Sequence, residues 1–156
     1  MRKGEVTKPL GSAPLGPMAF SLFVPRDMQV AFKVNSFSEI IGKLPLAILE
    51  GEGRFRQELS AIARKRKLRL NIKVECSSFP LVARALGSGT LAGILPCMAA
   101  DELRKLGLVE ISTKALLVFE REVCLAWNPR RIQVRAALGL ARGIWADTLR
   151  CSLRAR

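Results

Sequence analysis

Residues Leu81 to Pro96 read LVARALGSGTLAGILP, and this stretch indicates the fold class because it joins the end of a helix to a strand. Ser78 can cap that helix at its start, where a serine oxygen accepts a hydrogen bond from a backbone N–H of the first turn. Gly87 and Gly89 can end the helix, since glycine adopts the left-handed backbone conformation that closes a helix. The apolar run Leu91 to Leu95 then predicts a short buried strand.

Helices and strands also alternate upstream of this stretch. Apolar runs and period-two alternation predict strands, whereas apolar residues spaced by three or four predict helices. In chain order the segments are a strand at Phe20 to Val24, a short helix over Phe37 to Ile41 that Asn35 or Ser36 can cap, a strand at Leu44 to Leu49, a helix at Arg54 to Lys67 and a strand at Leu68 to Val74. Before them, Met1 to Pro17 is rich in proline and glycine, which predicts an extended connection with turns.

The alternation continues downstream to the end of the chain. The segments are a helix at Pro96 to Lys105, a short strand at Leu108 to Ile111, a longer strand or strand pair at Leu116 to Trp127, and a long helix from Pro129 whose apolar stripe includes Val134, Leu138, Ala141, Trp145 and Leu149. Each parallel crossover needs a helix-sized connection, so this order predicts an α/β fold with a mainly parallel sheet covered by helices.

The composition is that of one compact globular unit. The chain has 156 residues, of which 49% are hydrophobic and 25% are charged, so enough apolar area exists to offset the chain entropy. No apolar signal-peptide core follows the charged start, and the longest apolar stretch, Leu91 to Ala100, is about half of the ~20 residues that a membrane-spanning helix needs. We therefore expect a soluble cytoplasmic protein without a membrane partner.

Cysteine spacing and the absence of histidine limit the chemistry that the chain can perform. The cysteines Cys76, Cys97, Cys124 and Cys151 form no CxxC pair, and the sequence contains no histidine to complete a zinc site of the usual type. Without histidine, Ser-His-Asp and Cys-His catalysis are also excluded. We expect reduced, mostly buried thiols, no metal, no cofactor and no enzymatic activity.

The chain is strongly basic. Its 26 Lys and Arg against 13 Asp and Glu give a net charge of +13, which attracts nucleic acid, anionic lipid or small organic acids alike. The run Arg64 to Arg69 (RKRKLR) lies at the predicted end of a helix, where cations favour the helix dipole, but the same run could grip phosphates. A basic, non-specific nucleic-acid-binding protein is therefore the alternative function.

Small residues follow two of the predicted strands, where open α/β sheets bind ligands. Gly51, Gly53 and Arg54 (GEGR) come between a strand and a helix, and Ser77 and Ser78 occupy the equivalent place after the next strand. Free amides at a helix start can hold an anion. A tight turn explains the glycines equally well, and simple capping explains the serines, so both interpretations stand.

Several stretches, taken in order, resemble the effector-binding domain of LysR-type bacterial transcription regulators. They are FSLFVPRDM (Phe20 to Met28), LPLAILEGEGRFRQEL (Leu44 to Leu59), ECSS (Glu75 to Ser78), LVARALGSGTLAGILP (Leu81 to Pro96) and AADELRKLGLVEI (Ala99 to Ile111). The resemblance covers most of the chain. It implies a fold similar to type II periplasmic binding proteins, in which two crossing strands join two α/β lobes around a small-molecule effector.

The resemblance also divides the chain. Residues 1–25 would be a remnant of lobe one with the first crossing strand, 26–121 a complete lobe two, and 122–156 the second crossing strand with a C-terminal helix that returns to lobe one. The hinge would include Val24, Pro25, Cys124 and Leu125. The rest of lobe one and the winged helix-turn-helix, through which intact relatives bind DNA, would precede Met1, so we expect an N-terminally truncated regulator that forms homo-oligomers.

A small organic acid is the expected effector. The pocket residues implied by the resemblance and by the strand-to-helix positions are Gly51, Gly53, Arg54, Ser77, Ser78 and Phe79. Arg54 would be the charge partner of the acid, and the others would supply amides, hydroxyls or apolar walls.

Overall fold

The structure, a computed structural model, describes residues 10–31, 37–51, 53–128, 138–141 and 143–144. Contacts within the chain define two compact units, Met1–Ala19 with Glu120–Arg156, and Phe20–Phe119. In chain order the elements are β1 (Gly11–Met18), β2 (Phe20–Pro25), α1 (Arg26–Ala31), α2 (Phe37–Lys43), β3 (Pro45–Leu49), α3 (Arg54–Lys65), β4 (Asn71–Cys76), α4 (Phe79–Leu86), β5 (Gly93–Pro96), a 3₁₀ helix (Cys97–Ala99), α5 (Ala100–Lys105), β6 (Leu108–Ile111), a second 3₁₀ helix (Lys114–Phe119) and β7 (Arg121–Trp127).

The unit Phe20–Phe119 contains a mixed sheet of parallel and antiparallel pairs, whereas the sequence predicts a mainly parallel one. β3 pairs in parallel with β4, and β2 lies between β5 and β6, antiparallel to both. A parallel bridge from Leu46 to Ala92 joins the two groups, with the Ala47 N–H donating to the Ala92 carbonyl at 2.9 Å. The strand order is therefore β4-β3-β5-β2-β6, and β3, β4, β5 and β6 all end at one edge of the sheet, which we call the carboxyl edge.

Helices pack on this sheet through apolar faces. α3 buries Phe55, Leu59 and Ala63, which are spaced by four residues, and α4 buries Val82 and Leu86. The core between the sheet and α4 and α5 includes Phe23, Ala47, Leu95, Leu103 and Leu108. Full burial of one such leucine or phenylalanine stabilises the fold by about 1.5–3 kcal/mol.

The other unit contains the antiparallel pair of β1 and β7. Its register runs from Gly11 opposite Trp127 to Met18 opposite Arg121, with an irregularity between Pro14 and Gly16. A Cβ atom at Gly11 would lie 2.6 Å from the Trp127 ring, so a larger residue at this position would force the ring to shift. Residues 138–141 and 143–144, which are helical, also belong to this unit.

The structure corrects two sequence predictions. The segment predicted as an extended connection, Met1 to Pro17, contributes to β1, because Gly11–Met18 finds a partner strand in β7. The segment predicted as a strand or strand pair, Leu116 to Trp127, begins with the 3₁₀ helix Lys114–Phe119 and is a strand only over β7. Leu116 and Phe119 are buried while Leu117 and Val118 are about half exposed, which is the spacing of three that a 3₁₀ helix produces.

Some predictions fall outside the described residues. These are the caps Asn35 and Ser36, most of the helix predicted from Pro129, with Val134, Trp145 and Leu149, and the thiol of Cys151. Leu138 and Ala141 of the same stripe are half-buried in a helical segment. Cys76, Cys97 and Cys124 are buried, and these three thiols form no disulfide.

The predicted hinge residues lie in two different units. Val24 and Pro25 are buried in β2, while Cys124 and Leu125 belong to β7. The unit that contains β2 starts at Phe20 rather than at Arg26, because β2 pairs with β5 and β6 over its whole length. The hinge role and the division of the chain into lobes stay predictions.

Candidate ligand-binding edge

The predicted pocket residues lie on two adjacent connections at the carboxyl edge. Gly51 and Gly53 connect β3 to α3, and Ser77 and Ser78 connect β4 to α4. β3 and β4 are neighbours, with Leu49 opposite Cys76. The Glu50 N–H donates to the Cys76 carbonyl at 2.8 Å, which holds the first connection against the end of β4. The fold therefore brings together the two groups that the sequence singled out separately.

The backbone conformation explains the glycine at position 51 but not the glycine at position 53. Gly51 has φ +90, a conformation that residues with a Cβ rarely adopt, so the turn itself explains this glycine. Gly53 has φ −60 and ψ 164, and a Cβ there would meet no atom within 4 Å. It is the N-cap of α3 and supplies no side chain to the helix start. The tight-turn interpretation thus accounts for Gly51 but not for Gly53.

Ser78 occupies the N-cap position of α4, as the sequence predicts, but its side chain makes no capping hydrogen bond. Its backbone carbonyl accepts from the Val82 N–H at 3.1 Å, which starts the helix. Ser77 is exposed and Ser78 is half-buried. Two helices, α3 and α4, therefore begin side by side at the carboxyl edge, and neither has a side-chain cap on its first-turn amides. The positive ends of both helix dipoles favour an anion there.

Charged side chains of α3 border this edge. Arg54, whose side chain is 57% exposed, donates from Nε to Glu58 Oε1 at 2.7 Å along its own helix. A guanidinium has five N–H donors, so this bond leaves further donors on the same group. Arg56 Nη1 lies 3.1 Å from Glu75 Oε1, close enough for charge attraction although not aligned as a hydrogen bond, and this pair joins α3 to β4.

Four aromatic rings pack against one another near this edge. We call them the phenylalanine cluster: Phe20, Phe55, Phe79 and Phe119. The centroids of Phe55 and Phe119 are 4.9 Å apart, and Phe79 lies 5.8 Å from Phe20 and 6.2 Å edge-on from Phe55. Phe79 is only half-buried, whereas the other rings are buried. A ligand at the carboxyl edge would meet an aromatic surface at Phe79.

A polar network at the end of β6 was not found from the sequence. Ser21 Oγ donates to Glu110 Oε1 at 2.8 Å and lies 3.0 Å from Ser112 Oγ, and Arg104 Nη2 donates to Glu110 Oε2 at 2.6 Å. No local motif links these residues, because β2 and β6 meet only in the folded sheet. Among the described residues, no three His, Cys, Asp or Glu side chains lie together as a metal site would require.

The sequence from residue 2 to residue 144 matches the profile of a known domain, the LysR substrate binding domain. The chain belongs to the LysR substrate-binding domain family. The resemblance noted from its motifs is confirmed. LysR substrate-binding domains are parts of transcription regulators and not enzymes, so the prediction that the chain is not an enzyme is confirmed as well.

Solved LysR-type regulatory domains have the same fold. The reduced regulatory domain of OxyR2 from Vibrio vulnificus is 19% identical, with a TM-score of 0.60, over 92% of this chain and 68% of that one. A transcription regulator from Vibrio parahaemolyticus is 14% identical, with a TM-score of 0.69, over 95% and 70%. The cofactor-binding domain of the Cbl transcription regulator is 17% identical, with a TM-score of 0.64, over 90% and 61%. No curated protein matches the chain by sequence.

These comparisons confirm the predicted fold class, an α/β fold like that of type II periplasmic binding proteins. The LysR substrate-binding domain of this chain spans about two thirds of the OxyR2 domain. No helix within the described part of the chain is both long and apolar enough to cross a membrane.

Proposed function

We propose that this LysR substrate-binding domain binds a small organic anion at the carboxyl edge of the unit Phe20–Phe119, and so acts as the sensing domain of a cytoplasmic regulator. The observation that supports this proposal is the side-by-side start of α3 and α4 without side-chain caps. Their first-turn amides have no intrahelical acceptors, and a carboxylate can supply acceptors to both helices at once.

Each predicted pocket residue has a role in this proposal. The Arg54 guanidinium attracts the carboxylate, and the backbone at Gly53 allows close approach because no side chain covers it. The Ser77 and Ser78 hydroxyls donate hydrogen bonds. The half-buried ring of Phe79 contacts the apolar part of the acid. Gly51 shapes the turn.

The wider regulatory proposal follows the family. Effector binding shifts the relative populations of domain arrangements in a homo-oligomer, through movement at Val24, Pro25, Cys124 and Leu125. DNA reading belongs to an N-terminal winged helix-turn-helix of the intact regulator. The names of two relatives, a regulatory domain and a cofactor-binding domain, support a sensing role.

The experiment is a calorimetric screen of aromatic and aliphatic carboxylic acids against the chain and its Arg54→Ala and Ser77→Ala variants. We expect Arg54→Ala to weaken binding at least about tenfold, since a charge-assisted hydrogen bond contributes about 1.5–3 kcal/mol. Arg84→Ala, which removes an exposed cation from the last turn of α4, is the matched control and should bind as the parent does. If no acid binds, or if both pocket variants bind like the control, the proposed site is wrong.

A further inference from the structure

The end of the sheet opposite the carboxyl edge carries a dense group of cations, which we call the basic edge: Lys43, Arg64, Lys65, Arg66, Lys67 and Arg69. All of them are exposed. Arg64 and Lys65 end α3, and the chain then turns toward the start of β4. A Cβ at Gly42 would lie 3.3 Å from the Leu68 side chain, so Lys43 at the end of α2 lies beside the same turn. The fold thus adds a distant lysine to the basic run.

No ion pair among the described side chains offsets this charge. The sequence from Leu59 to Val74 contains no Asp or Glu. The ion pairs of the described side chains join Arg54, Arg56 and Arg104 to carboxylates, and none of these pairs includes a cation of the basic edge. Crowded like charges destabilise the folded chain, so a cluster of this kind needs an explanation beyond solubility.

Helix capping does not supply that explanation. The last carbonyls of α3 already accept backbone hydrogen bonds: Ile62 from the Arg66 N–H at 3.0 Å, Arg64 from the Lys67 N–H at 3.1 Å and Ala63 from the Leu68 N–H at 2.8 Å. Side-chain donors are therefore not required there. The helix dipole favours cations only within the last turn of a helix, so it accounts for Lys43 at the end of α2 but not for Arg69.

We propose that the basic edge binds the phosphate backbone of duplex DNA. The charge is complementary to a polyanion, and the domain belongs to a transcription regulator, which works beside DNA. Single-strand binding needs exposed rings for base stacking, but between the buried Phe55 and the half-buried Phe79 the sequence has no aromatic residue. Leu68 and Leu70 are half-buried, so the surface also lacks the exposed apolar side chains that insert into a lipid headgroup layer.

This surface is separate from the proposed ligand site. α3 has 12 residues and is about 18 Å long, and it runs from the carboxyl edge to the basic edge. This length exceeds two Debye lengths at physiological ionic strength, each about 8 Å. An organic anion at one edge therefore leaves the attraction of DNA to the other edge almost unchanged, and the two activities can be tested independently.

The experiment measures binding of a labelled DNA duplex to the full chain by fluorescence anisotropy across a salt series. With roughly four phosphate contacts, the logarithm of affinity should fall with the logarithm of salt with a slope of about −4. The variant Lys65→Gln/Lys67→Gly/Arg69→Gln should reduce the size of this slope by about 3, because each phosphate contact contributes about 1. If the triple variant fails to fold, the single Lys67→Gly variant replaces it, because Lys67 has φ 53 and glycine fits this backbone conformation. This single variant should make the slope less negative by about 1.

The matched control for the single variant is Lys114→Gln, which removes one charge from an exposed position after β6, at the carboxyl edge of the sheet. Its slope should stay near that of the parent chain. An equal loss of slope in Lys67→Gly and Lys114→Gln would show that net charge alone attracts DNA, and the proposal would be wrong. It would equally be overturned by weak duplex binding at physiological salt, or by tighter binding to phosphatidylserine vesicles than to DNA. If the basic-edge variant binds an organic acid as tightly as the parent chain does, its weaker DNA binding does not come from a change at the ligand site.

Discussion

Gly93 lies where β5 passes close to its neighbours in the sheet. A Cβ at this position would lie 3.0 Å from the Ala47 carbonyl oxygen and 3.2 Å from the methyl groups of Leu86. The carbonyl belongs to the neighbouring strand and cannot move without disturbing the sheet. Gly93 therefore fixes how closely β3, β5 and α4 approach one another.

The change Gly93→Ala should lower the free energy of unfolding by about 1–3 kcal/mol, the usual effect of overpacking a buried site. Gly139→Ala is the matched control, because a Cβ there meets no atom within 4 Å and the residue is helical. That change should raise the free energy of unfolding by about 0.5–1 kcal/mol, the helix preference of alanine over glycine. Urea unfolding followed by circular dichroism measures both, and equal stabilities would show that the close approach at Gly93 does not constrain the fold.

At the scale of the element, α3 contributes residues to both edges of the sheet. Its first turn lacks a side-chain cap, while its last turn is closed by backbone hydrogen bonds. The uncapped start is the less stable end of the helix, because unpaired amides there depend on water or on a ligand. Stability and anion binding should therefore compete at Gly53.

The change Gly53→Asp tests this competition. An aspartate at the N-cap accepts hydrogen bonds from the first-turn amides and should raise the free energy of unfolding by a few tenths of a kcal/mol, roughly the difference between glycine and the best capping residues. The same carboxylate occupies the place of the proposed anion and repels it, so affinity for an organic acid should fall at least about tenfold. Thermal unfolding and calorimetry on the same samples report both effects. Undiminished affinity together with higher stability would place the anion away from these amides.

At the scale of the whole molecule, a net charge of +13 means that the folded chain repels itself. Added salt screens this repulsion, as the Debye length falls from about 30 Å at ~0.01 M to about 8 Å at ~0.15 M. We expect Tm to rise by roughly 2–4 °C over this range, the shift that about 1 kcal/mol produces in a chain of this size. The basic-edge triple variant should show a smaller rise than the parent in the same scans. A Tm that falls with salt in the parent would mean that ion pairs outweigh the repulsion.

The sequence predicted elements that depend on residues close together in the chain better than elements that depend on distant residues. The bounds of α4 and β6 followed from local periodicity and glycine signals, and α3 was predicted only two residues too long. β1 was missed because its partner β7 lies more than a hundred residues away, and the prolines within it are typical of loops.

The sequence indicated which residues lie at the candidate site, but not which side chains contact one another there. Strand-to-helix turns identified Gly53, Arg54 and Ser78, because parallel strands end at one edge. The phenylalanine cluster required four separate elements to meet, and the sequence indicated only Phe79 as part of the site. The missing cap at Ser78 is a matter of side-chain orientation, which a motif does not specify.

β4 pairs on one side only among the described strands, so its other side offers free backbone groups to a further strand. Lys73 lies in this strand and Arg69 lies just before it, and both residues are exposed. Two copies that approached strand to strand would bring these like charges together, and the repulsion would disfavour pairing through β4. A polyanion that neutralised the same charges would remove that protection, so crowding on DNA would favour self-association through β4.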